Sequence, residues 1–345
     1  MLRRGSTGAA VAEVRARLAH LGLVTHDTAD PELFDDELDR AVRTFQQERG
    51  IVVDGIVGPV TFRRLDEARW QLGDRVLSFI PGRMISGDDV VQLQRRLSEL
   101  GFDAGRLDGI FGRATDRALR EFQASVGVSP DGTCGPDTFR AFDRLIRTVS
   151  GGDARVLRGH VTVAALQTGV ADKVVVIDAA GDIDPDLCHA FAVRVEGRLA
   201  ALGTQAILSG RPGGANPTEP ERAEFANSVG ADLVVSLHVD SSDSPVPNGI
   251  ATFYYGQPSG GLHSHSGRLL AEYLHDELTH RTDRLDCGVH PRTWDLLRLT
   301  RMPAVRVELG YVSNASDAQR LRSAGFQDAV AEGVVAAITR ACSPR

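Results

Sequence analysis

Three groups of side chains in the second half of the chain could do chemistry. Asp178, Asp182 and Asp184 follow the apolar run V-V-V-I at 174 to 177, His238 stands in S-L-H-V-D, and Glu308 stands in V-E-L-G-Y. Carboxylates gathered after a strand can hold a hard, oxygen-seeking cation, and they equally serve as caps that accept the first amide protons of the next helix. His238 reads as a functional imidazole or as a hydrogen-bonded core histidine. Glu308 reads as a general base or as the cap of the turn before Val312-Ser313-Asn314. His189 lies on the helix after Asp184 and points away from a ligand at that helix start. The pair His263 and His265 follows the Gly-rich loop 256 to 261, is expected to face one side of a strand, and has no third partner by spacing; His290 and Trp294 are expected to border a groove.

The elements that position these groups alternate from residue 173 onward. K-V-V-V-I-D, Q-A-I-L-S, A-D-L-V-V-S-L-H-V-D, G-I-A-T-F-Y-Y and A-V-R-V-E-L-G-Y read as five strands. Helical patterns run from Leu187 to Gly203, from Pro220 to Gly230 and near 327 to 340. Such alternation predicts an α/β domain with a mostly parallel sheet covered on both faces. Ligands of such sheets sit at the carboxyl ends of the strands, which is where the three groups lie.

The first half is duplicated. V-A-E-V-R-A-R-L-A-H-L-G at 11 to 22 matches V-V-Q-L-Q-R-R-L-S-E-L-G at 90 to 101, and the stretch 34 to 62 matches 111 to 139. In the first copy Val11, Val14, Leu18 and Leu21 form one apolar stripe, and Leu38, Val42 and Phe45 form another. Asp54-Gly55 with Gly58-Pro59 makes a turn into a third short helix. Each copy is thus a small three-helix domain, at 4–70 and 89–147, with linkers at 71–88 and 148–172 and the α/β domain at 173–341.

Bulk properties narrow the function. Acidic residues outnumber basic ones, 46 to 39, giving a net charge of -7. No basic block offers a footprint for phosphate backbones, so nucleic acid is excluded as a partner. No apolar run reaches the roughly 18 residues of a membrane span, and the first residues lack the apolar core of an export signal, so a cytoplasmic protein is expected. The four cysteines form no C-x-x-C and read as idle thiols.

Both copies resemble the peptidoglycan-binding domain of cell-wall hydrolases, through L-x-x-L-G, F-Q and D-G-x-x-G-x-x-T. The stretches E-R-A-E-F-A-N-S-V-G-A-D-L-V-V-S-L-H and M-P-A-V-R-V-E-L-G-Y-V-S-N resemble the zinc-dependent N-acetylmuramoyl-L-alanine amidases. That resemblance implies a zinc held by a histidine after strand one, a glutamate at the next helix start and the histidine of S-L-H, with the glutamate of V-E-L-G as general base. It assigns metal binding to His238 and Asp184, catalysis to Glu308, and substrate binding to Asp178, Arg222, Asn227 and Asp240. Gly181 stands where the first histidine belongs, and Asp184 is one methylene shorter than the expected glutamate, so the zinc site reads as degenerate and no bound cofactor is expected. The combination of domains, with R-T-W-D-L-L-R-L-T-R-M-P at 292 to 303, is similar to the CwlM-type proteins of actinobacteria. This implies a non-catalytic cytoplasmic regulator that binds a muropeptide or peptidoglycan precursor, with the enolpyruvyl transferase of precursor synthesis as partner. The alternative is an active zinc amidase, exported, using His238, a carboxylate from 178 to 184 and His189.

Overall fold

The computed structural model describes residues 1–25, 30–82, 84–145, 161–179, 181, 183–210, 217–258 and 263–344. The chain forms two compact units, Met1–Arg158 and Gly159–Arg345. Asp182 and the core of the linker expected at 148–172 lie outside the described residues.

The first unit holds helices α1 (Ala9–His20), α2 (Asp36–Glu48), α3 (Pro59–Ala68), α4 (Asp88–Glu99), α5 (Arg113–Ser125) and α6 (Pro136–Leu145). The apolar stripes close two separate cores, one around Val14, Leu18, Leu38 and Phe45, the other around Leu93, Leu97, Phe122 and Phe142. The stretch expected as a linker at 71–88 belongs to the second core. Leu77 is buried there, and strand β1 (Leu77–Ser78) pairs antiparallel with β2 (Thr133–Cys134).

A buried glutamine ties each D-G turn to a helix. Gln46 Nε2 donates to Asp54 Oδ1, Ile56 O and Thr61 Oγ1, and its Oε1 accepts from Gly55 N at 2.9 Å. Gln123 repeats this around Asp131, Thr133, Thr138 and Gly132. Gly55 and Gly132 both have φ near +70° (73 and 71), which is why glycine occupies the turn. A third instance, missed by comparing the copies with each other, joins Gln94 to Asp108, Gly109, Ile110 and Thr115. In the first copy the matching place is taken by Arg15, which donates to Leu33 O at 2.9 Å and Asp35 Oδ2 at 2.8 Å.

The second unit is built on a six-stranded sheet in the order β4-β3-β5-β8-β6-β7. Its strands are β3 (Val174–Asp178), β4 (Gln205–Leu208), β5 (Leu233–Asp240), β6 (Ile250–Tyr255), β7 (Asp286–Arg292) and β8 (Ala304–Tyr311). Strands β3, β4, β5 and β8 run parallel; β6 meets β8 antiparallel and carries β7 parallel to itself. The expected mostly parallel sheet is present, with a sixth strand in addition to the five. β7 reads D-C-G-V-H-P-R, a run with Gly288 and Pro291 and no apolar alternation, so it carries no strand signature.

Helices α7 (Pro185–Ala200), α9 (His265–Thr282) and α12 (Ala324–Cys342) cover one face, and α8 (Glu219–Ser228) and α10 (Asp295–Leu299) cover the other; α11 (Ala315–Leu321) follows β8. His265 opens α9 and does not lie on a strand, a correction to the expectation above. Ser264 caps that helix by accepting from Gly267 N. Period-two alternation assigns faces: Leu233, Val235, Leu237 and Val239 of β5 enter the core under α7, α9 and α12. Val234, and with it Ser236, His238 and Asp240, faces α8 and α10.

Candidate functional site

The same alternation puts Asp178 of β3, Ser236 and His238 of β5, and Arg306 and Glu308 of β8 on one sheet face at the strand carboxyl ends. The register places Asp178 beside Ser236 and His238 beside Glu308. α8 lies over this face, and the capping box of Thr218 and Glu221 fixes its start, so that Arg222 one turn on points down at the sheet.

Asp178 is 1% exposed and is the hub of the arrangement. Arg222 Nη1 donates to its Oδ2 at 2.5 Å, Ser236 Oγ donates to the same oxygen, and Ser209 Oγ donates to Oδ1. Ser236 Oγ also lies 2.7 Å from His238 Nε2. With its single proton committed to Asp178, Ser236 accepts from Nε2–H, which fixes the histidine tautomer. Burial, with the charges of Arg306 and Arg222 beside it, holds the His238 pKa well below 6.5, so the ring is neutral. The result is a buried chain from Arg222 through Asp178 and Ser236 to His238.

Glu308 is 7% exposed, and burial raises its pKa against the pull of Arg306, whose Nη2 donates to Glu308 Oε1 at 3.2 Å. Asp240 ends β5 and accepts from Ser241 N at 2.7 Å. Asp184 caps α7 by accepting from Leu187 N at 3.1 Å, and its other oxygen accepts from Arg322 Nη2 at 3.0 Å. The capping role anticipated for the carboxylates after β3 is therefore met by Asp184, while Asp178 pairs with an arginine instead.

The zinc set implied by the resemblance does not fit these residues. Gly181 supplies no donor, and a Cβ built on it would lie 2.5 Å from Cys188 Sγ. Asp184 is engaged on both oxygens, and His238, with Nε2–H directed at Ser236, keeps its ring lone pair on Nδ1 as a single donor. Among the described residues no group of three or more His, Cys, Asp or Glu side chains could hold a metal ion. His189, the candidate substitute, has a buried Nδ1 with no hydrogen-bond partner.

The residues expected to bind substrate divide. Asp178 and Arg222 are spent on each other. Asn227 donates to Leu299 O and accepts from Arg301 N, both at 2.9 Å, so its amide pins the segment after α10 and is not offered to a ligand. Asp240 and Glu308 remain at the strand ends. Ser236, Arg292 and Arg306 were not singled out from the sequence, although the alternation in S-L-H-V-D and V-R-V-E places Ser236 beside His238 and Arg306 beside Glu308.

Comparisons with known proteins follow this geometry. The family description "N-acetylmuramoyl-L-alanine amidase" matches residues 172–340, and "Putative peptidoglycan binding domain" matches 7–65 and 86–142. The chain is 44% identical to the N-acetylmuramoyl-L-alanine amidase CwlM of Mycobacterium tuberculosis, over 98% of this chain and 89% of that protein. It is 32% identical to the N-acetylmuramoyl-L-alanine amidase LytC of Bacillus subtilis, over 42% of this chain and 28% of that protein. Among solved structures, the catalytic domain of CwlV, an amidase from Bacillus (Paenibacillus) polymyxa, is 29% identical with a TM-score of 0.44, covering 49% of this chain and 97% of that one.

Proposed function

The chain belongs to the N-acetylmuramoyl-L-alanine amidase family, and from that premise we propose that it is a member that binds a peptidoglycan fragment or precursor without hydrolysing it. One observation supports this reading: of the residues that the resemblance sets at the first two zinc positions, Gly181 has no side chain and Cys188 Sγ lies where its Cβ would go, and Asp184 is taken up by a helix cap and an arginine. A catalytic zinc needs three protein ligands and one open corner for water. His238 alone falls short of that.

The match of both N-terminal copies to a peptidoglycan-binding description supports a ligand of that class. The regulatory part of the proposal rests on the resemblance to CwlM-type proteins. In it the chain works in the cytoplasm, where precursors are made, and its protein partner is the enolpyruvyl transferase of precursor synthesis. Among the described residues no helix is long and apolar enough to cross a membrane.

A second reading, zinc-dependent cleavage of the muramoyl-alanine amide, is favoured by the retention of His238 and Glu308 and by the similarity to the mycobacterial N-acetylmuramoyl-L-alanine amidase CwlM. Two measurements on the purified protein separate the readings. Zinc content far below one per chain, with no peptide released from a muramoyl-peptide, is the expected result. Stoichiometric zinc with peptide release would overturn the proposal. For the partner, co-purification with the transferase and a change in its rate are expected; an unchanged rate at saturating protein removes that part of the reading.

A further inference from the structure

Beside Glu308 the sheet face carries a second cluster that none of the metal-site residues accounts for. Arg306 of β8 is paired in register with Phe253 of β6, and Arg292 of β7 with Tyr255. Phe253 and Tyr255 face α8 and α10, so both guanidiniums come to the side of the sheet that holds Glu308. Trp294, the residue just before α10, stands between them. Arg306 Cζ lies 4.4 Å from its ring centroid and Arg292 Cζ 6.0 Å, while Arg292 Cζ also lies 5.3 Å from the Phe253 ring.

The charge on this wall is incompletely matched. Arg306 is shared between Glu308 at 3.2 Å and Glu219 at 3.6 Å, and its Nε has no acceptor among the described residues. Arg292 is half-buried and has no carboxylate within 4.0 Å among the described residues; its hydrogen bond goes to the carbonyl of Pro291 at 2.9 Å. Burial lowers its pKa, and Glu308 opposes that loss only from a distance. The buried Nε1–H of Trp294 also lacks an acceptor. A wall that holds donors without acceptors is costly when desolvated. An oxyanion placed against it removes that cost, and a planar guanidinium already seated on an aromatic ring is preset to bind one through two parallel hydrogen bonds.

We infer that this wall is an anion subsite: Arg292, with Arg306 beside it, takes a carboxylate or phosphate group of the ligand, and Trp294 flanks the group that carries the anion. The inference rests on the reading of the chain as a binder of peptidoglycan fragments or precursors. Ligands of that class present such an anion in two places, the stem-peptide carboxylates and the diphosphate of a nucleotide-linked precursor. Arg292 is the primary contact because, among the described residues, it has no carboxylate to give up, whereas Arg306 is shared between Glu308 and Glu219.

Calorimetric titration of the full chain tests the subsite, with uridine-diphosphate N-acetylmuramoyl-pentapeptide, N-acetylmuramoyl-L-alanyl-D-isoglutamine and uridine diphosphate as probes. Arg292→Gln is expected to weaken binding of the pentapeptide precursor about 10- to 100-fold, the range for losing hydrogen bonds to a charged group. Arg292→Lys should restore only part of the loss, since an ammonium cannot make the paired contact. Binding of uridine diphosphate alone assigns the subsite to the diphosphate; binding of the muramoyl dipeptide without it assigns the carboxylate. Arg306→Gln is run beside Arg292→Gln with melting curves, and because Arg292 makes no ion pair among the described residues its variant is expected to keep the fold even where Arg306→Gln does not. Undiminished affinity in a folded Arg292→Gln overturns the inference and leaves ligand binding intact. Failure of the wild-type chain to bind any of the three probes overturns the inference together with the reading beneath it.

Discussion

Replacing Asp178 by Asn keeps the shape of the side chain and removes its charge, leaving the Arg222 guanidinium, 3% exposed, without its counter-ion. Removing one partner of a buried ion pair costs about 3 to 5 kcal/mol, because the remaining charge stays in the low-dielectric interior. In a folding unit of 150 to 250 residues each kcal/mol is worth roughly 2 to 4 °C. The unit Gly159–Arg345 falls in that range, so Asp178→Asn should lower its melting temperature by about 6 to 20 °C. The assay is Trp294 fluorescence in a Trp70→Phe background, which isolates this unit because the chain has 2 tryptophans. Combining Asp178→Asn with Arg222→Met removes both charges and should recover most of the loss, since an apolar replacement of a buried pair is often neutral. A chelator added to the wild type should leave its melting temperature unchanged, because the carboxylate is held by an arginine and two serines. A loss below about 2 °C in Asp178→Asn, or a chelator effect as large as the mutation, would refute the view that this face is held together by its own polar chain.

Other outcomes follow from the same geometry. The depressed pKa of His238 means that the unfolded chain binds a proton below about pH 6.5 that the folded chain refuses. Stability should therefore fall on acidification through that region by up to about 1.4 kcal/mol per pH unit, and His238→Gln should flatten this limb in urea titrations. Gly181→His should not create a zinc site; the clash with Cys188 should cost about 1 to 3 kcal/mol as overpacking, and Cys188→Ala in the same chain should relieve it, as melting and metal analysis will show. Gln123→Ala should destabilise the first unit by about 1 to 3 kcal/mol, because Gly132 N–H and Thr138 lose their buried partner, read by Trp70 fluorescence on denaturation.

Periodicity made most of the scaffold legible. Val11, Val14 and Leu18, and Leu38, Val42 and Phe45, are all buried, as their three-and-four spacing predicts. The strands that carry Asp178, His238 and Glu308 were legible from their runs of apolar β-formers. β7 was not, since its pairing comes from β6 and not from apolar residues of its own. The turn at Asp108-Gly109 was hidden for a different reason. Setting one copy against the other aligns it with Pro31 to Leu38, where Arg15 replaces the glutamine and the D-G pair is gone.

Spacing brings candidate ligands to one place but does not say what holds them, and at this site the partners decide the chemistry. Asp178 is held by Arg222, 44 residues away, and Asp184 by Arg322, 138 residues away. Only for Glu308 is the partner close in sequence, two positions back at Arg306. A metal ligand needs a lone pair that nothing else claims, and a cation site needs carboxylates whose charge is not already met. Here Asp178, Asp184 and Glu308 each meet a guanidinium, whereas Asp240 accepts from the Ser241 amide and His238 keeps one ring nitrogen clear of Ser236. In the proposed reading this arrangement leaves little demand for a divalent ion, whereas Arg292, with no carboxylate within 4.0 Å among the described residues, is left to take an anion.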